Sequence, residues 1–190
     1  MENTGIILKT LFPKKRKMIV LDSKLGKIEA VPSHENFTIG SLLSYCPQMQ
    51  GSLYFLREIN ILDIPLALAK SDILFLHHVI EICYFCIPFD KSSVEIFNMI
   101  HQLYQPEIQS YNHAFKIAFL FKLLISLGMH PEESRFHDSA YYILARESID
   151  TILDKSIDLD TDCTLHEWVR SCILIHPLIH IFKTVHFLDK

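Results

Sequence analysis

The sequence predicts an α+β protein in which a small β-barrel precedes an α-helical bundle. Residues 4–31 contain three short apolar runs that meet at turns, a pattern typical of a β-meander. From residue 67 onward, apolar residues recur at helical intervals instead. With 190 residues and 49% hydrophobic content, the chain can bury one sizeable core or two small ones. We therefore expect a barrel over residues 1–66 and a helical domain over residues 67–190.

Five strands are expected in the first part. The first covers residues 4–10, and the second begins at Met18 and leads to a turn at Gly26, which can adopt a positive φ. The third covers residues 28–31. Residues 41–46 and 51–63 form the last two strands, with Pro47 and Gly51 bracketing the turn between them.

The helical part begins with an apolar segment at residues 69–86, whose narrow polar stripe is typical of a helix clamped between domains. The stripe consists of Lys70, His77, His78 and Glu81. Capping-box spacing at Ser92 and Glu95 predicts the start of a second helix. A third, residues 113–127, stops at Gly128. A fourth is expected at residues 141–152. Thr164 and Glu167 repeat the capping-box spacing for a last helix that breaks near Pro177.

Positive charge is concentrated in the predicted barrel. Residues 1–35 carry a net charge of +3, whereas the rest of the chain carries −7. A basic run at residues 14–17, which we call the basic connection, lies between the first two strands. It is either a solvated hairpin tip with lysines that protect a sheet edge, or a contact for the phosphates of a nucleic acid. Aromatic residues on or near the strands could stack on bases, although each alone is more typical of a core: Phe12, Tyr45, Tyr54 and Phe55.

Other chemistry is weakly supported. Cys83 and Cys86 lie inside an apolar helix and are best interpreted as buried thiols. A tetrahedral metal site built from Cys163, His166, His176 and His180 is disfavoured because Pro177 interrupts the helix between the last two histidines. No phosphate-binding glycine loop or nucleophile elbow is present. We therefore expect no catalytic site, no metal and no cofactor.

Location follows from the same sequence features. The longest apolar stretches are interrupted by charged residues and are too short to span a membrane, and no basic, then apolar, leader begins the chain. Five cysteines without a repeating framework favour a reducing compartment. The prediction is a cytoplasmic protein with no membrane partner.

Several phrases, taken in their order and spacing, resemble the RecO family of bacterial recombinational-repair proteins. They are Gly-Ile-Ile-Leu-Lys-Thr at residues 5–10, Leu-Gly-Lys-Ile at 25–28, the apolar helix around Glu81, Leu-Gly-x-x-Pro at 127–131 and a Lys-Thr-hydrophobic close at 183–188. The chain departs from the family at two places. It lacks the four-cysteine zinc module that many members carry. At residues 32–36, where the family usually has a basic segment, this chain has a nearly uncharged one.

The resemblance implies an OB-fold joined to a helical bundle, without catalysis. RecO proteins bind single- and double-stranded DNA, promote annealing, and help RecR load RecA onto DNA coated by single-strand-binding protein. If these properties apply here, the DNA-binding residues are expected among the basic side chains of the barrel: Lys9, Lys14, Lys15, Arg16, Lys17, Lys24 and Lys27. These must converge on one face to act together. The alternative is a protein-interaction adaptor that kept the scaffold and lost most DNA affinity.

A partner site is predicted on the third helix. Lys116 and Lys122 project within about a third of the helix circumference of each other, on a helix whose remaining surface is apolar. They either face water or form a basic rim beside an apolar groove. With the resemblance, such a rim would suit the acidic, hydrophobic C-terminal tail of single-strand-binding protein.

Overall fold

The computed structural model of the chain describes residues 2–12, 16–34, 37–104, 113–129 and 163–182. The chain is a mixed α and β protein that divides into two compact units, residues 1–107 and 108–190. Within the described ranges, no helix is long and apolar enough to cross a membrane. The fourth helix expected at 141–152 lies outside the described residues.

Five strands in the first unit form a closed barrel in the order β1-β2-β3-β5-β4. They are β1 (Asn3–Thr10), β2 (Met18–Asp22), β3 (Gly26–Pro32), β4 (Leu42–Gln50) and β5 (Leu53–Asp63). Neighbours pair antiparallel except β3 and β5, which pair in parallel at the closure. This barrel is consistent with the expected OB-fold.

Two turns of the barrel lie at the glycines where the sequence predicts them. Gly26 has φ of 80° and Gly51 has φ of 62°, so both occupy the left-handed region that favours glycine. Strand β4 extends through Pro47 to Gln50, four residues beyond its predicted end, and Pro47 lies opposite Leu56 rather than in the turn. The turn is therefore confined to Gly51 and Ser52.

The barrel strands alternate between an interior and an outer face, and the interior is apolar. Its buried members are Ile7, Met18, Val20, Ile28, Ala30, Leu43, Tyr45 and Leu56. The residues between them on β1 and β2 point outward, yet Ile6, Leu8, Ile19 and Leu21 are also buried. Burial on both faces requires another layer over these strands, and α1 (Leu66–Cys86) packs against β1.

Helix α1 consists of two helical segments joined at Asp72, whose φ of −157° and ψ of 87° are non-helical. The Asp72 carboxylate accepts a hydrogen bond from the Phe75 N–H at 3.0 Å, as an N-cap does for the third residue of a helix. The predicted polar stripe of α1 is wrong at one position. Lys70 and His77 are exposed, but His78 is fully buried.

The segment after α1 returns to the barrel. The Asp90 N–H donates to the Lys27 carbonyl at 3.1 Å, and Phe89 forms a parallel bridge with Lys27. A Cβ at Gly26 would collide with the Lys91 carbonyl oxygen, so glycine permits this close approach. Helix α2 (Val94–Gln102) follows with Ser93 at its N-cap, one residue after the predicted Ser92, and Ser93 makes no side-chain capping bond.

The second unit contains α3 (His113–Ser126), α4 (Cys163–Leu174) and a short 3₁₀ helix (Ile179–Ile181). Helix α3 ends as predicted at Gly128, with φ of 87°. The Met129 N–H donates to the Leu124 carbonyl and the Gly128 N–H to the Ile125 carbonyl, which is a Schellman motif. Phe121 and Trp168 pack edge to face at 5.0 Å between centroids, joining α3 to α4. A complete helical bundle remains a prediction.

Candidate nucleic-acid interface

The basic connection lies at the end of the barrel where β1 stops and β2 starts. The Leu11 N–H donates to the Lys17 carbonyl at 3.0 Å and closes its base. Arg16 is exposed, and the Lys17 ammonium pairs with Glu29 at 2.8 Å. Lys14 and Lys15 lie outside the described residues. The two described cations of the connection are therefore positioned at one rim of the barrel.

Lys24 lies at the other end of β2, a five-residue strand about 16 Å long. Its ammonium donates to the Glu2 carbonyl at 3.0 Å and to the Asn3 Oδ1 at 3.2 Å. These bonds tie the start of the chain to the turn after β2. Lys17 and Lys24 therefore lie at opposite ends of β2, so the expected convergence of these two lysines is not seen.

Lys27 and Lys9 both point toward Tyr84 of α1. The Lys27 side chain donates to the Tyr84 carbonyl at 2.8 Å, and its ammonium lies 4.4 Å from the centroid of the Phe89 ring. Only 4% of Lys27 is exposed, and burial lowers the pKa of its ammonium. The Lys9 ammonium lies 4.2 Å from the centroid of the Tyr84 ring, within range of a cation–π contact.

These contacts show that the protein itself covers the outer face around Lys9 of β1 and Lys27 of β3. In OB-folds, the face of strands 2 and 3 commonly binds oligonucleotides. Here α1 and the segment that follows it occupy that side, and the aromatic rings of Tyr84 and Phe89 lie against Lys9 and Lys27. A nucleic acid must therefore bind elsewhere on the barrel unless this layer moves.

The predicted aromatic residues separate into two groups. Tyr45 is fully buried in the barrel core and is not available for base stacking, and the half-buried Tyr54 packs against that core. Phe12 and Phe55 are half-buried. Phe55 lies between the inward residues Tyr54 and Leu56 and therefore points to the outer face.

A buried carboxylate organises one end of the barrel. Asp22 is fully buried and accepts hydrogen bonds from the Asn3 amide, the Tyr45 hydroxyl at 2.6 Å, and the backbone N–H groups of Lys24 and Leu25 at 2.7 and 2.8 Å. Burial and the Asp22 charge raise the pKa of Tyr45. The sequence-based prediction assigned no role to Asp22. Its position directly before Ser-Lys-Leu-Gly is the signal that it caps this turn.

No protein-family model and no curated protein matches this chain. The resemblance to RecO therefore depends on the motifs themselves and on their order.

The predicted partner residues Lys116 and Lys122 are both half-buried on α3. Their apolar neighbours, among them Ile117, Phe121 and Leu124, are buried at 0–3% exposure. The apolar side of α3 is thus used for packing within the second unit, and each lysine extends from the margin of that packed surface.

The two cysteines of α1 differ in burial, with Cys83 buried and Cys86 half-buried. Burial raises the pKa of both thiols, to about 11 for Cys86. Among the described residues, no three His, Cys, Asp or Glu side chains are grouped for a metal ion. The His176 ring packs against Phe182 and the His166 ring against His113, while the Cys163 side chain lies outside the described part.

Proposed function

We propose that this protein is a DNA-binding recombinational-repair mediator of the RecO kind. It would bind and anneal single-stranded DNA, bind double-stranded DNA, and help RecR load RecA on DNA coated by single-strand-binding protein. It would do so without catalysis and in the cytoplasm, with the barrel as an OB-fold and residues 67–190 as a helical domain. The resemblance described above supplies these roles.

One structural observation carries the proposal. The basic connection joins β1 to β2 of a closed five-stranded barrel, and the corresponding loop of OB-folds is one through which they bind oligonucleotides. Arg16 is exposed there, and Lys17 is on the rim. Lysine and arginine side chains at such a rim bind phosphates and release counterions, which makes binding sensitive to salt.

A salt-dependent titration with labelled single-stranded DNA tests this function. We expect the protein to bind, and we expect a variant with Ser at positions 14–17 to bind more weakly to every sequence. Because up to four phosphate contacts are lost, the slope of log affinity against log salt should fall by up to about 3. Lys24→Ser, at the opposite end of β2, is the matched control. Unchanged binding by the four-residue variant would exclude the basic connection, and absence of binding by the parent protein at low salt would exclude the function.

A second candidate function is favoured by a specific observation. The ammonium groups of Lys9, Lys17, Lys24 and Lys27, four of the seven predicted DNA contacts, are engaged with other groups of the protein. A protein-interaction adaptor that binds RecR or single-strand-binding protein, with little DNA affinity, has this charge arrangement. Parallel titrations separate the two functions. We expect an adaptor to bind RecR and the tail peptide but not labelled DNA, even at a low salt concentration of about 50 mM, where phosphate contacts are strong.

A further inference from the structure

A row of four residues crosses the outer wall of the barrel. Strand pairing places Met18 opposite Ala30, so the preceding Lys17 falls opposite Val31. Val31 pairs with Phe55 on β5, and Phe55 pairs with Gln48 on β4. Lys17, Val31, Phe55 and Gln48 therefore form one row across four strands, which we call the outer-wall row.

Three observations place this row on the outside. Ala30 and Leu56 belong to the barrel core, so their chain neighbours Val31 and Phe55 point outward. The Lys17 ammonium pairs with Glu29, which lies two residues from Val31 on the same face of β3. Gln48 is exposed. Because neighbouring strands are about 4.8 Å apart, Lys17 and Phe55 are separated by about 10 Å along the row.

Phe55 has the surroundings of a stacking surface. It is half-buried, and exposed polar side chains adjoin it, Gln48 across β4 and Arg57 two residues further along β5 on the same face. An outward aromatic ring with Arg57 further along its own strand and Lys17 two strands away combines the two features by which proteins bind single strands, π-faces for bases and cations for phosphates. The outer face around Lys9 of β1 and Lys27 of β3, in contrast, is covered by α1 and the segment at Phe89.

We propose that Phe55 is a stacking platform for a base of single-stranded nucleic acid, with neighbouring phosphates contacting Lys17 and Arg57. This site rests on the proposed function and specifies where the single strand binds. A phosphate that approaches Lys17 competes with Glu29 for the same ammonium. The single strand would then bind on the wall around β5 rather than on the face of strands 2 and 3 that OB-folds commonly use.

Fluorescence tests the platform directly. The parent protein has one tryptophan, Trp168, which is 8% exposed, so its emission gives the background. We expect Phe55→Trp to be quenched when an oligo-dT strand is added, while Phe89→Trp, at an exposed position against Lys27 and outside the outer-wall row, stays unchanged. If Phe55→Trp binds the strand and its emission does not change, the platform is overturned.

Affinity provides the second measurement. Since stacking on one aromatic ring contributes about 1–3 kcal/mol per base, Phe55→Ser should weaken oligo-dT binding by roughly 5- to 150-fold with little change in salt slope. Arg57→Ser should instead reduce the slope by about 0.7. Phe55→Leu keeps an apolar side chain but removes the π-face, so it controls for misfolding, and Phe89→Ser is the matched aromatic control.

The outcomes distinguish this site from the proposed function. If the parent binds DNA and Phe55→Leu binds it equally well, the platform is wrong and the function stands. If the parent does not bind single strands at all, both are wrong. Weaker binding by Phe55→Leu and Phe55→Ser, with Phe89→Ser unaffected, supports the platform.

Discussion

The Lys27 ammonium donates a 2.8 Å hydrogen bond to the carbonyl oxygen of Tyr84, in the last turn of α1. That turn has no basic residue of its own. The last carbonyls of a helix lack intrahelical partners and carry partial negative charge, which a cation stabilises. A lysine of the barrel therefore supplies the C-terminal cation for a helix of a different layer.

Replacing Lys27 with Met should change how stability depends on pH. Burial lowers the pKa of Lys27 in the folded protein, so between that pKa and 10.5 the unfolded chain binds more protons. The free energy of unfolding then rises with pH relative to the variant. Urea unfolding at pH 8 and pH 10 measures this difference. Lys70→Met, at an exposed position of α1, should match the parent, and equal slopes for parent and Lys27→Met would contradict the prediction.

The hydrogen bonds to Asp22 should be important for stability. Tyr45→Phe removes the 2.6 Å bond from the hydroxyl to the carboxylate and should lower the free energy of unfolding by about 1.5–3 kcal/mol, as for hydrogen bonds to charged groups. Asp22→Ala should cost more because it leaves the donors of Asn3, Lys24 and Leu25 without their acceptor. Chemical denaturation measures both. Thr4→Val removes a part-buried bond to Ser23 and is the control, so a larger loss there than in Tyr45→Phe would refute this assignment.

Acid should destabilise the protein through His78. Burial lowers the pKa of this side chain from 6.5 to about 4. As the pH falls through 6.5, the unfolded chain takes up a proton that the folded protein does not, so stability declines until about pH 4, by about 3 kcal/mol. His78→Gln should lose this dependence, and His77→Gln, the exposed neighbour, should keep it. Thermal unfolding of the parent and both variants at pH 7 and pH 5 measures this dependence. An equal loss of stability in the parent and in His78→Gln would show that another group is responsible.

The lysines of α3 should affect a peptide ligand but not DNA. We expect Lys116→Glu combined with Lys122→Glu to weaken binding of an acidic, apolar tail peptide of single-strand-binding protein, because two attractive charges become repulsive. Fluorescence anisotropy with the labelled peptide measures the affinity. The DNA affinity of the double variant should stay nearly equal to that of the parent. Lys70→Glu is the control and should bind the peptide as tightly as the parent does. Equal peptide affinity for the double variant and the parent would locate the peptide site elsewhere.

Local patterns predicted the barrel well. Alternation of apolar residues and the glycines at 26, 51 and 128 identified strands, turns and the end of α3, because backbone conformation there depends on neighbouring residues. Lys27 and His78 show what a local pattern does not contain. Alternation assigns Lys27 to the outer face of β3, but the layer that buries it lies 57 residues away in the chain. His78 adjoins the exposed His77, and only the packing around α1 distinguishes the two.

The candidate site was predicted only in part, because local patterns identify single segments but not the faces that folding brings together. The basic connection is contiguous and could be identified from composition alone. Phe55 could be named as an aromatic strand residue, but its separation from Tyr45 and Tyr54 requires knowing which face is interior. Arg57 was missed, although a cation two residues after Phe55 in a strand is the periodic signal for a shared face.

The return of the segment at Phe89 to β3 determines where the chain can be divided. A protein that ends at residue 66 would lose α1, the cover over Ile6 and Leu8, and the partner of the Lys27 ammonium. Large apolar side chains of β1 and β2 would then face water, and we expect such a fragment to aggregate. We therefore expect a fragment that folds on its own to include the first helices as well as the barrel, so that the strands and these helices are gained or lost together.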